Sequence, residues 1–120
     1  MILQLQKSQP APDICIVEFS GKLMMGSESR QVERTVSELL AAGVKKIILE
    51  LSRLDNIDST GIGILVMCDG KVRKAGGEMR LAGPAGLVRD TLVMTRIDRL
   101  MKLVPTASEA LQEFQVVRSG

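Results

Sequence analysis

A chain of 120 residues, with 45% apolar and 25% charged side chains, is long enough to build one core without disulfide or metal staples. Its 16 basic and 14 acidic residues leave a formal charge of +2 with no basic stripe, and its two aromatics, Phe19 and Phe114, offer no stacking platform, which argues against nucleic-acid binding. The absence of histidine excludes histidine acid–base catalysis, Ser-His-Asp triads and ordinary zinc sites. Cys15 and Cys68 sit inside apolar patterns and read as small core residues in a reducing, cytoplasmic compartment. No stretch reaches membrane-spanning length, and the start does not read as a signal peptide, so membrane insertion is not expected.

The elements follow in chain order. Ile2 to Gln6 alternates as a short strand, and Lys7 to Asp13, with Pro10 and Pro12, reads as a loop. Ile14 to Ser20 is a second strand, expected to pair antiparallel with the first, and Gly21 to Gly26 is a loop carrying Met24 and Met25. Ser27 caps a helix to about Ala42 with Val32, Val36, Leu39 and Leu40 as its buried stripe, and Gly43 stops it. Ile47 to Leu51 is a continuous apolar run with one acid, the mark of a strand buried on both faces. The segment from Ser52 to Ser59 reads as a loop into a helix near 60–75, on which Gly61, Ile64, Leu65, Cys68, Val72 and Ala75 share one face. Glu78 to Ala82 is a strand, residues 85–95 a helix with Val88 and Leu92 inward, and Leu100 to Val104 a last strand. Thr106 and Glu109 form a capping box for a final helix over 107–115, and 115–120 is read as a frayed tail. Alternating helices and strands predict an α/β fold: one domain over 1–120, with a mixed, mainly parallel sheet of four to five strands and about four helices.

Sites in such sheets lie beyond the carboxyl ends of the strands, where Asp58-Ser59-Thr60-Gly61-Ile62-Gly63 stands. No phosphate-binding loop is present, the lone Gly-x-Gly lacks its third glycine, and Ser59 is not in a nucleophile elbow. Asp55 and Asp58 are either a carboxylate pair or acceptors for turn and helix-start N–H groups, and no third acid stands nearby for magnesium. Ser59 or Thr60 either caps the helix or displays a hydroxyl where a phosphate would meet the positive end of the helix dipole. Gly61 and Gly63 are expected to bring the first turn against neighbouring backbone. Ile62 and Val66 lie off the buried face, in line with Asp69 and Arg73, and are either edge-of-core residues or a contact surface.

Leu51-Ser52 followed by Ile57-Asp58-Ser59-Thr60-Gly61-Ile62-Gly63 closely resembles the motif of the STAS family, the sulphate-transporter and anti-sigma-factor-antagonist domains. The resemblance extends through Gly21-Lys22-Leu23, Gly76-Gly77, Leu81-Ala82-Gly83 and Ile97-Asp98, and at this length the chain looks like a bacterial anti-sigma-factor antagonist. The resemblance implies a STAS-like fold and a regulator of transcription that is not an enzyme and carries no cofactor or metal. It further implies that Ser59 is phosphorylated by a partner that is both anti-sigma factor and serine kinase. The unphosphorylated form would bind that partner and free a sigma factor, and a phosphoserine phosphatase would restore binding. Asp58, Ser59, Thr60, Gly61, Ile62 and Val66 become partner-binding residues, with Ile62 expected to be substantially exposed. One departure is Met24, where many antagonists carry an aspartate after Gly-x-Leu. Two alternatives stand beside this: a non-switching STAS scaffold or accessory subunit of a stress-signalling or lipid-transport complex, and a small nucleotide-binding or hydrolysing enzyme, which titration with ATP or GTP would reveal.

Overall fold

The computed structural model describes residues 2–26 and 30–119. Strand β1 (Gln4–Ala11) pairs antiparallel with β2 (Ile14–Leu23), and helix α1 (Arg30–Ala41) follows. Then come β3 (Lys46–Ile57), α2 (Ser59–Lys74), β4 (Glu78–Ala82), α3 (Gly86–Met94), the short α4 (Ile97–Leu100), β5 (Lys102–Val104) and α5 (Ala107–Ser119). The five strands lie in the order β1-β2-β3-β4-β5, and every pair except β1–β2 is parallel. This is the mixed, mainly parallel sheet expected from the alternation of strand and helix patterns. Among the described residues, no helix is long and apolar enough to cross a membrane.

The core has two unequal parts. Leu49, Leu51, Leu81, Leu65, Val72, Val36 and Leu92 belong to the larger one, which joins the sheet to α1, α2 and α3. The smaller one joins Ile14, Ile48, Ala82 and Val104 to Ala110 and Phe114 of α5. Both faces of β3 are therefore covered, which is why Ile47, Ile48 and Leu49 are all buried without alternation. Buried Arg80 lies 4.3 Å from the Phe114 ring centroid and pairs with Glu78 at 2.9 Å and Glu113 at 2.8 Å, so a charge in the smaller core is stacked and matched. Cys15 and Cys68 are both free and buried, and burial pushes the Cys68 thiol up to about 11.

Several boundaries depart from the sequence reading. The loop expected from Lys7 is strand as far as Ala11, because β1 is an edge strand and its ladder is irregular between Ser8 and Ala11. Pro10 sits in that irregularity, where its missing N–H costs no ladder bond. Residues Gly21 to Leu23 complete β2, so the expected loop shrinks to its methionine end. Strand β3 runs on through Ser52–Ile57, with two irregularities in its pairing to β2. These bulges space the buried Leu51, Leu54 and Ile57 three apart, and that spacing hides a strand from a search for period two. The expected start of the last strand is instead α4, and α5 continues through Ser119 where a frayed tail was expected from Gln115. The Ser27 cap lies outside the described residues. Thr106 does cap α5, its hydroxyl accepting from the Glu109 N–H at 3.1 Å.

Candidate functional site

Strand β3 ends at Ile57, and α2 begins two residues later at the carboxyl edge of the sheet. Asp58 is the N-cap, with extended backbone. Its Oδ1 accepts from the Gly61 N–H at 2.9 Å, and its Oδ2 accepts from the Met25 N–H at 2.9 Å. The Asp58 N–H in turn donates to Leu23 O at 3.3 Å. Asp58 thus ties the start of α2 to the end of β2 through its backbone and to the loop beyond it through its carboxylate. Asp55 stands exposed on β3, and both Asp58 oxygens are taken by backbone N–H groups, so the acceptor role holds and the carboxylate pair does not.

Partial burial would raise the Asp58 pKa, but the N–H groups of Gly61, Met25 and Thr60 outweigh it and hold the carboxyl below its ordinary value. A depressed folded-state pKa stabilises the fold above the unfolded carboxylate pKa, and that contribution disappears as pH falls through the lowered value. Asp58→Ala is expected to lower stability by about 1–2 kcal/mol at neutral pH, the usual worth of an N-cap, with the difference from wild type shrinking in acid. Urea unfolding at pH 7 and in the acid range checks this, and a difference that persists unchanged in acid would refute it.

The cap being Asp58, Ser59 occupies the first helical position and is exposed. Its hydroxyl makes no hydrogen bond to the described residues. Thr60 is half-buried. Gly61 is buried, and a Cβ there would lie 2.3 Å from Leu23 O and 2.7 Å from Ile57 Cγ1. Gly63 is different from what its sequence suggests: it is exposed, and nothing lies within 4 Å of a Cβ placed on it. Only one of the two glycines makes a close approach.

Farther along α2, Ile62 is half-buried and packed against the larger core, not substantially exposed as expected. The reason is that α2 is covered on a flank as well as on its sheet-facing back. Asp69 on that flank is buried at 2% exposure, accepting from Arg73 Nε at 2.8 Å, and Arg73 Nη2 donates to Leu100 O at 2.7 Å. A helical wheel treats Asp69 and Arg73 as a solvated charged edge, and nothing in their spacing distinguishes that from a buried pair. The exposed apolar residues of α2 are Val66, 38% exposed, and Met67, 46% exposed. Met25, 80% exposed beside the Asp58 carboxylate, joins the same end of the molecule. The sequence holds no signal for that junction, because its partners are 33 residues apart.

The arrangement presents a free hydroxyl on a fixed helix start, with exposed apolar side chains on the helix that carries it. Among the described residues, no group of three or more Cys, Asp or Glu side chains is placed to hold a metal ion. Residues 7–110 match the STAS domain family. A Thermotoga neapolitana protein, provisionally described as an anti-sigma factor antagonist, is 40% identical over 78 residues, covering 65% of this chain and 69% of its own. The crystal structure of a Thermotoga maritima protein given the same provisional description is 28% identical, with a TM-score of 0.81 over 91% of this chain and 92% of that one. The Bacillus cell fate determinant SpoIIAA in its phosphorylated form has the same fold, with a TM-score of 0.73 at 20% identity over 92% of this chain and 99% of that one. The chain belongs to the STAS domain family.

Proposed function

We propose that the chain is a bacterial anti-sigma-factor antagonist and that Ser59 is its switch. The unphosphorylated protein binds an anti-sigma factor that is also a serine kinase, and so frees a sigma factor for transcription. Phosphate on Ser59 ends that binding, and a phosphoserine phosphatase restores it. The nucleotide belongs to the kinase. The chain is thus a cytoplasmic binding module and a substrate, not an enzyme, and needs no cofactor. Asp58, Ser59 and Thr60 form the contact end, with Val66 as its apolar neighbour and Ile62 at the margin; Gly61, expected to bind the partner, is buried and serves by seating the helix start.

The observation that carries the reading is the division of labour at the start of α2. Asp58 supplies the cap, which leaves the Ser59 hydroxyl exposed and uncommitted. The half-buried Thr60 is the poorer acceptor of a bulky group. Phosphate at Ser59 would add about −1.5 to −2 charges at a helix N-terminus without displacing any bond the fold uses. The names of the Thermotoga relatives support the antagonist role, and the phosphorylated SpoIIAA shows that a protein of this fold accepts phosphate.

The test is phosphorylation by candidate anti-sigma kinases with ATP, followed by mass spectrometry of wild type and Ser59→Ala. One phosphate on Ser59 of the wild type and none on the variant is expected. Phosphate on Ser59→Ala, or none on the wild type with a kinase that binds it, would overturn the switch.

A further inference from the structure

The sheet is covered unevenly. Helices α1, α2 and α3 pack on one face, whereas the other carries α5, which lies mainly over β3, β4 and β5. Beyond α5 that face continues as Gln4 and Gln6 of β1 and Glu18 and Ser20 of β2, none of them buried. Strand β1 is the edge of the sheet and pairs only with β2. The outward N–H and C=O groups of residues 4–8 therefore have no ladder partner, and an open edge is a template for a further strand. A cavity of about 370 Å³ follows this edge, lined by residues 3–6, by Glu18 and Ser20, and by Gln31 of α1.

The charges beside the edge say what it suits. Half-buried Glu18 stands level with Glu50 in the parallel β2–β3 register, so the two carboxylates share one face. Like charges abreast on a sheet repel. Among the described residues neither is in an ion pair, and Glu50 has only the Ser52 N–H, donated to Oε1 at 2.9 Å. The side chains nearest Glu18 on β1 and β2, Gln4, Gln6 and Ser20, are neutral. A cation brought to this face would relieve the repulsion. The opposite face of the same edge is apolar, because Leu3 and Leu5 belong to the larger core. The edge thus alternates with a period of two between an acidic, amide-rich side and an aliphatic one.

We propose that the β1 edge is a docking site for an extended basic segment of a partner protein, which adds to the sheet as a further strand. Main-chain bonds along residues 4–8 would hold it, its cationic side chains would lie beside Glu18, and the aliphatic ones between them would continue the Leu3–Leu5 side. A second copy of this chain fits less well. Its own β1 would bring neutral Gln4, Gln6 and Ser8 to the face of Glu18, and the strand's one cation, Lys7, lies on the other face. Helix α2 packs on the opposite side of the sheet, so this site is separate from Ser59 and does not depend on the proposed switch.

The probe is a fluorescein-labelled peptide of alternating lysine and valine, titrated against the whole chain beside a peptide with glutamate in place of lysine. The lysine peptide is expected to bind about tenfold more tightly at low salt, with the difference shrinking as salt rises. Glu18→Gln is expected to lower its affinity about tenfold and to raise the thermal midpoint, a pairing that a purely structural role for Glu18 would not produce. N-methylation of alternate peptide residues tests the main-chain bonds. One of the two phases is expected to remove binding and the other to leave it, since only every second N–H faces β1. Equal affinity of the lysine and glutamate peptides, affinity of Glu18→Gln within about twofold of wild type, or equal effects of the two N-methylated phases would each overturn the proposal. A concentration-dependent dimer in sedimentation that Glu18→Gln strengthens, with the lysine peptide unbound, would assign the edge to a second copy and overturn it as well.

Discussion

Phosphorylation of Ser59 is expected to weaken binding to the anti-sigma kinase by about a hundredfold, roughly 3 kcal/mol. The Ser59 hydroxyl is exposed on the first residue of α2, and the nearest surface is partly apolar: Met25 is 80% exposed and Val66 38% exposed. A partner close enough to cover these side chains would have to strip water from the new charge. Desolvating an uncompensated charge costs several kcal/mol, and only part is returned by the N–H groups of the helix start, because Asp58 already takes the Gly61 N–H. Asp58 also places a second negative group beside the phosphate. Calorimetric titration of unmodified, phosphorylated, Ser59→Ala and Ser59→Asp proteins against the kinase reads the effect. Ser59→Ala should bind like wild type, and Ser59→Asp should lose less affinity than the phosphorylated form because a carboxylate has less charge and fewer acceptor oxygens. Equal affinity of the phosphorylated and unmodified proteins would leave the non-switching scaffold as the better account.

What could be read from the sequence depended on whether the physics was local. The apolar run Ile47 to Leu49 announced a strand covered on both faces, and the alternation of such runs with capped stripes announced a parallel sheet. Strand β3 beyond Leu51 was invisible, because two bulges against β2 replace the period of two by a spacing of three. The helix start was legible as an acid, two hydroxyls and two glycines, but which residue capped was not. Asp58 caps through the Gly61 N–H, and it is held in place for that role by bonds to Met25 and Leu23, on a segment far away in the chain. Ile62 was misjudged for a related reason. A helical wheel shows angular position, whereas burial depends on what is packed at that angle, and Ile62 packs against the larger core.

The two glycines of the motif make the sharpest contrast, and alanine at each is expected to act with opposite sign. Alanine is the better helix former by about 1 kcal/mol, so a glycine-to-alanine change in a helix stabilises unless the methyl group has nowhere to go. At Gly63 it meets open space, and Gly63→Ala is expected to raise stability by about 0.5–1 kcal/mol. At Gly61 the methyl would stand 2.3 Å from Leu23 O, 2.7 Å from Ile57 Cγ1 and 3.0 Å from Leu23 Cγ. The first of these is backbone at the end of β2 and cannot swing aside as a flexible side chain would. Relief requires the start of α2 to move away from β2, which also pulls on the Asp58 N–H to Leu23 O bond and on the Met25 N–H to Asp58 bond. Overpacking of this kind costs about 1–3 kcal/mol, and weakening the cap adds about 1 kcal/mol, so the loss exceeds the gain in helix propensity. Gly61→Ala is expected to destabilise by about 1–3 kcal/mol net and to lower the thermal midpoint by about 4–12 °C. Because the displaced residues hold Ser59 in place, Gly61→Ala should also slow phosphorylation of Ser59 at temperatures where the variant is still folded. Thermal unfolding of both variants, with phosphorylation measured well below each midpoint, checks the pair. A stabilised Gly61→Ala would show that Leu23 and the start of α2 separate freely, and that the close approach does not position the site.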